Sequence, residues 1–277
     1  MRRLNVRTDL LTSVESLIAQ QNEATASLPG EPRVDIVRDH GGVRAAAVVM
    51  TQAFVENHDK GWLAWLKPEE VRRIEEGDHA LGERRLTPIL AYLLRAGLGA
   101  GGILCVETVQ AADGIGPRVV RGACLRRLPM AWPARDSLLY KYLVGGWHAL
   151  RTYGLPRALA ADRAQTRLRQ ATELARRAQG IPQGCIYSSM MCVPRRFEGL
   201  HVARRLSGPF LRLADEQGLH MLLQSSNPDR NDERVFKRFG FSRIGEFNYG
   251  VSRLNAVGPY TITLLARPPR QIEVHPS

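Results

Sequence analysis

Residues 212–241 read RLADEQGLHMLLQSSNPDRNDERVFKRFGF. A helical pattern closes at Gly218, a natural stop for a helix. LHMLLQSS, residues 219–226, is an apolar run of strand length. DERVFKRFG, residues 232–240, is a short helical pattern that ends at Gly240, and FSRIGEFNYG opens the next strand. Just upstream, CIYSSMMCV (185–193) is a strand with few charges, expected to be central and buried on both faces. Between it and the helix lies VPRRFEGLHVARRL (193–206), a loop that enters a helix. PYTITLLARP (259–268) closes the chain as a strand.

The first half carries fewer alternations. Residues 1–32 form an amphipathic helix with Leu10, Leu11, Val14, Leu17 and Ile18 on one face, ended by LPGEP. This is taken as an N-terminal extension to a domain spanning 33–270. RVDIVRD (33–39) alternates as a strand, and VRAAAVVMTQAFVEN (43–57) reads as a helix. Pro68, followed by Glu69 and Glu70, starts another helix, and LTPILAYLLRAGL (86–98) is a third. GGILCVETVQ and RVVRGACLRRLP form a hairpin around a turn-rich link, and residues 136–179 are mostly helical with a break near YGLP. The expectation is an α/β domain: a mixed, mostly antiparallel sheet of six or seven strands flanked by helices.

With 39 Lys and Arg against 27 Asp and Glu, the formal charge is +12. Such an excess attracts anions. No helix-turn-helix, zinc or RNA-binding motif accompanies it, so nucleic acid is not the expected partner. Cys105, Cys124, Cys185 and Cys192 lie in apolar runs without metal-ligand spacing. No metal is expected, and reduced core cysteines fit a cytoplasmic protein. No run is long and apolar enough to span a membrane.

The order strand, loop, helix, strand, short helix, "GF", strand resembles the GCN5-related N-acetyltransferase (GNAT) superfamily. The resemblance spans about residues 33–267 and is specific in 184–245, where "AD..G", Pro209 and "GF" match. It implies an acyltransferase. An acyl group would pass from a phosphopantetheine thioester, on coenzyme A (CoA) or an acyl carrier protein, to an amine of a small molecule or peptide. Attack would be direct, without an acyl-enzyme. It also implies that strands 184–193 and 219–226 splay apart around the pantetheine arm, with the thioester near Met190 to Val193. A non-catalytic acyl-CoA or ligand-binding domain of the same fold is the alternative.

A loop that opens a helix offers unpaired N–H groups to phosphate. The donor-binding residues implied are Cys192, Val193, Arg195, Arg196, Gly199, Leu200, His201, Val202, Ala203 and Asn231. The family's loop pattern has Gln or Arg where Glu198 stands, and glycine where His201 stands. An acyl carrier protein presents the arm without adenosine pyrophosphate and tolerates both changes. Such carriers are acidic, which suits the basic segments 151–177 and 195–212. The tyrosine with which many members protonate the leaving thiolate is replaced by Phe236, leaving Tyr187, Ser225 and Ser226 as donors; Tyr187 and Ser226 are carried forward. Among acids expected near the acceptor cleft, Glu56, Asp59 and Glu107, Glu56 is carried forward as the base. Trp62 and Trp65 are candidate pocket walls.

Overall fold

The computed structural model describes residues 2–111, 116–129, 145–227, 236–249 and 256–270. In chain order its elements are α1 (Arg2–Thr25), β1 (Arg33–Ile36), α2 (His40–Glu56), α3 (Lys60–Leu63), α4 (Pro68–Glu75) and α5 (His79–Gly99). Then come β2 (Gly102–Val109), β3 (Val119–Arg127), α6 (Trp147–Tyr153), α7 (Leu155–Ala178), β4 (Ile186–Cys192) and α8 (Val202–Glu216). β5 (Met221–Ser225), β6 (Ser242–Tyr249) and β7 (Tyr260–Arg267) complete the sheet. Asn231, residues 232–235 of the 232–240 helical pattern, residues 136–144 and the 112–115 turn lie outside the described residues. Among the described residues, no helix is long and apolar enough to cross a membrane.

The helix starts follow from local chemistry. Asp39, Asp59 and Asp78 cap α2, α3 and α5, accepting the N–H of Gly42, Gly61 and Leu81 at 2.7, 2.9 and 3.0 Å. Pro68 opens α4, where its missing N–H costs nothing. Gly154, with φ of 75°, breaks α6 from α7.

The seven strands form one sheet in the order β1-β2-β3-β4-β5-β7-β6. Every pair is antiparallel except β4 and β5. Side chains alternate across it. Leu104, Val106, Ala123 and Leu125 face α2, α5 and α7, meeting Met50, Leu90, Leu94 and Leu168. Ile103, Cys105 and Cys124 face α1 and α8, meeting Val14, Leu17, Leu206 and Phe210. All four cysteines are reduced and buried.

Two local devices fasten the α1 and α8 layer. The Asn22 side chain on α1 donates to the Val34 carbonyl at 2.9 Å and accepts the Val34 N–H at 2.8 Å, pairing with β1 at the sheet's edge. At the end of α8, Asp215 accepts from Arg267 Nη2 and the Arg270 N–H, both at 2.7 Å. Arg267 Nε donates to the Phe239 carbonyl at 2.8 Å. The aspartate of "AD" and the residue just before "GF" are thus joined through one buried arginine.

The expectation for β4 needs one correction. Tyr187, Ser189, Met190 and Met191 are only half-buried. The strand is central, but one side of it faces a cavity and its far half lacks a full complement of neighbours.

Candidate active site

β4 and β5 pair in parallel only at Ile186↔Met221, Tyr187↔Leu222 and Ser188↔Leu223. Beyond these residues the ladder stops, although β4 runs on to Cys192 and β5 to Ser225. The two strands open into a wedge. A bulge helps: across from β3, Leu125 pairs with Met190 and Arg126 with Ser188, so Ser189 is the extra residue. The edge of β4 past Ser188 therefore carries amide and carbonyl groups with no ladder partner on β5.

The wedge opens into a cavity of about 1120 Å³ between the sheet and α3, α5, α6 and α7. Its aromatic wall includes Trp62 and Trp65. Trp62 stacks on Phe54 at 4.8 Å between ring centroids, Trp65 meets Tyr249 edge-on, and Tyr249 stacks on Tyr260 at 4.6 Å.

One carboxylate sits in this wall near the wedge. Both oxygens of Asp59 accept from Ser226 Oγ at 2.9 Å. Ser226 is the residue after β5, and the Asp59 charge also acts on the thiol of Cys192, the last residue of β4. Asp59 thus lies at the open end of β5, on the cavity lining. Gly61 permits the approach: a Cβ there would stand 2.8 Å from Ser226 Cβ. Burial pushes the Asp59 carboxyl up to about 6, while hydrogen bonds from Ser226, Gly61 and Trp62 pull it partly back.

The other acids are elsewhere. Glu56 is outside the cavity lining; its Oε2 accepts the backbone N–H of Arg195 at 2.8 Å. The chain reverses at His58, with φ of 48°, so two acids three residues apart point to different places. Glu107 is fully buried and held by Arg205 at 2.7 Å and Arg121 at 2.5 Å. It belongs to the α8 side and has no access to an acceptor.

Ser226 lies in the cavity, bonded to Asp59. Tyr187 also lines the cavity, but at the closed end of the wedge, three residues or about 10 Å of strand from Met190. Burial pushes its phenol up, with Arg127 and Arg169 opposing. Ser226 and Tyr187 are therefore not brought to one point. Phe236 is buried on the cavity lining, edge-on to Phe241 at 6.1 Å. Cys192 is buried in the core, and burial pushes its thiol well above the usual range, which removes it as a nucleophile.

The 193–201 loop follows β4 directly. Arg195–Phe197 make a 3₁₀ turn, and α8 begins at Val202 with Arg205 N–H bonding to the His201 carbonyl. The N–H groups of Val202, Ala203 and Arg204 therefore have no carbonyl within the helix. His201 takes the left-handed conformation, φ of 60°, at the position where glycine is expected; Gly199 does the same at 79°. Leu200 and the His201 side chain are exposed. Three contacts tie the loop to the end of α2: Glu56 to Arg195 N–H, Arg195 Nε to Asn57 at 3.1 Å, and Arg196 Nη2 to Gln52 at 2.8 Å. Arg205 reaches back to the Leu200 carbonyl. A Cβ on Gly122 would meet Val202 at 2.6 Å, so this glycine lets α8 start close above β3.

Sequence reasoning noted Asp59 but did not choose it. The signal was present in Asp59-Lys60-Gly61, an N-cap pattern that places a carboxylate at a helix start. Asn231 lies outside the described residues.

No family model and no curated protein matches the sequence. Among solved structures, the chain is similar to "histone acetyltransferase HPA2 and related acetyltransferase" from Corynebacterium glutamicum, at 13% identity and a TM-score of 0.52. That match covers 88% of this chain and 99% of the other. It is also similar to a mutant agmatine N-acetyltransferase in its apo form, at 14% identity and a TM-score of 0.50, covering 86% and 99%. The chain shares the fold of these acetyltransferase structures.

Proposed function

We propose that the protein transfers an acyl group from a pantetheine thioester to an amine, with Asp59 as the proton acceptor. The carrying observation is a buried carboxylate fixed by Ser226 at the open end of β5, on the lining of a cavity into which the wedge opens, where the β4 edge lacks a partner on β5. The amides of a pantetheine arm pair with that edge as a short extra strand. The thioester then lies near Met190, and a β4 N–H faces its carbonyl oxygen.

The steps balance simply. The acceptor enters as an ammonium and gives a proton to ionised Asp59. The neutral amine forms the C–N bond, the C–S bond breaks, and the sulfur leaves with the electron pair. A free thiol has a pKa of about 8.5, so departure as thiolate near neutral pH is slow but open without an acid at Phe236. The second amine proton passes to solvent. Ser226 serves as the donor that fixes Asp59, and Tyr187 serves as part of the cavity wall.

The donor is acyl-CoA or an acyl carrier protein. Val202, Ala203 and Arg204 N–H groups, with Arg195 and Arg196, are the phosphate-facing groups, and Glu56 and Glu198 weaken them toward pyrophosphate. The acceptor is an amine with an apolar or aromatic body that fits the tryptophan wall. Both solved structures named above are of acetyltransferases, and one of these proteins is an agmatine N-acetyltransferase, named for an amine. Phe236 favours a second reading, a domain that binds the acyl ligand without turnover.

The test is thiol release from acyl-CoA, acyl-pantetheine and acyl carrier protein with a panel of amines. Wild-type protein should release thiol only when an amine is present, and Asp59→Asn should lose that release while still binding donor. Donor binding without release across the panel supports the second reading instead.

A further inference from the structure

Glu107 on β2 is a fully buried carboxylate that takes no part in the proton transfer above. Its Oε1 accepts from Arg121 Nε at 3.1 Å, from Arg121 Nη2 at 2.5 Å and from Arg205 Nη2 at 3.0 Å, and its Oε2 accepts from Arg205 Nε at 2.7 Å. The sheet is shaped for this contact. Glu107 pairs with Gly122 and Thr108 with Val120, so Arg121 is an extra residue on β3, and the bulge brings it to the face where Glu107 lies. Gly122 leaves the space beside them to Val202 and Leu206, so the first turns of α8 come down on the same spot. Taking a carboxylate and two guanidinium groups largely out of water costs stability, and apolar side chains of similar volume would join sheet to helix as well. What a guanidinium fork held by a carboxylate adds is direction.

That direction reaches the loop. Arg205 Nη2 also donates to the Leu200 carbonyl. A peptide group is planar and trans, so its carbonyl and its N–H point opposite ways. With the Leu200 carbonyl held toward Arg205, the His201 N–H is aimed away from the buried ions. The left-handed turn at His201 leads from there into the N–H groups of Val202, Ala203 and Arg204. Resting on the acyl-transfer reading, we infer that Glu107 is a positioning residue for the donor: through Arg205 it fixes the Leu200–His201 peptide and so sets the amides that receive the pyrophosphate of acyl-CoA. Glu107 itself touches no substrate. Its influence is confined to the end of the donor beyond the pantetheine arm, because the arm lies along β4.

The experiment is calorimetric binding of CoA and of pantetheine, which lacks the pyrophosphate. Wild type should bind CoA more tightly than pantetheine by about tenfold or more. Arg205→Lys keeps the charge, but a single ammonium cannot span both Glu107 oxygens and the Leu200 carbonyl. Its Kd for CoA should rise about tenfold, the scale of a hydrogen bond to a charged group, with pantetheine within about twofold of wild type. Glu107→Gln separates position from charge. Loss of a negative charge alone would tighten an anionic ligand, whereas loss of position weakens it, which is the result expected. If one variant unfolds on a thermal melt, the other decides. CoA binding that is unchanged or tighter in a folded variant overturns the inference alone, as does equal weakening of both ligands or a wild type that does not distinguish them. Binding of neither ligand by wild type overturns the acyl-transfer reading and the inference together.

Discussion

Replacing Asp59 with asparagine sets stability against activity. Burial lifts the carboxyl from 3.8 to about 6. Between those values the folded chain holds a proton that the unfolded chain has released. The stability tied to this group is therefore full below about pH 4 and is lost as pH rises through about 6. Above that, ionised Asp59 costs the fold about 3 kcal/mol, at about 1.36 kcal/mol per pH unit between the two values. Asparagine keeps the shape and the oxygen that accepts the Gly61 N–H, but carries no charge. Some of the gain is forfeited at Ser226, which loses one of its two acceptor oxygens. Asp59→Asn should thus be more stable than wild type at about pH 8 by about 1–3 kcal/mol. That raises Tm by roughly 2–4 °C for each kcal/mol, and the gap should close toward about pH 4. Thermal or urea melts of both proteins across this range provide the measurement. In the same variant acyl transfer should fall by about 100-fold or more. A variant less stable at about pH 8, or a gap that ignores pH, would refute the view that Asp59 is a buried and strained carboxylate.

Phe236→Tyr should leave single-turnover transfer unchanged or faster, because it puts a hydroxyl on the cavity lining at the position where the resemblance implies the acid for the thiolate; a large loss of rate in folded protein assigns the ring a packing role instead. Glu56→Gln removes a carboxylate from the Arg195 N–H, so acyl-CoA should gain several-fold in affinity over acyl-pantetheine, read by comparing the two donors' Kd. His201→Gly relieves a left-handed histidine and should stabilise the fold by about 1 kcal/mol in a urea melt.

Much of the sheet was legible because each strand carries its own pattern. The run from CIYSSMMCV through LHMLLQSS to the closing strand shows period, stop signals and order, and local chemistry decides these. The wedge was named only through resemblance. Its physical cause is the extra residue at Ser189 and the loss of pairing after Ser188, and neither leaves a mark in composition. The choice between Glu56 and Asp59 was not legible by distance along the chain, because the left-handed turn at His58 separates their directions. Glu107 reads as a strand acid with no hint of Arg205, ninety-eight positions away, that neutralises it. Long-range ion pairing, cavity shape and chain reversal are decided by tertiary packing, and these are the properties on which a site depends.

The Asn22 contact bears on how copies of this protein coexist. β1 is an outer strand, and the free backbone of an outer strand is a template for another chain. By engaging both backbone groups of Val34, a single amide side chain acts as a one-residue surrogate strand. Detaching α1 would strip this plug and bare the strip formed by Leu10, Val14, Leu17 and Ile18 together with its counterpart on α8. The exposed rim and the sticky face would adjoin, which is the arrangement that invites pairing with another copy. The first helix thus shields one outer edge of the sheet.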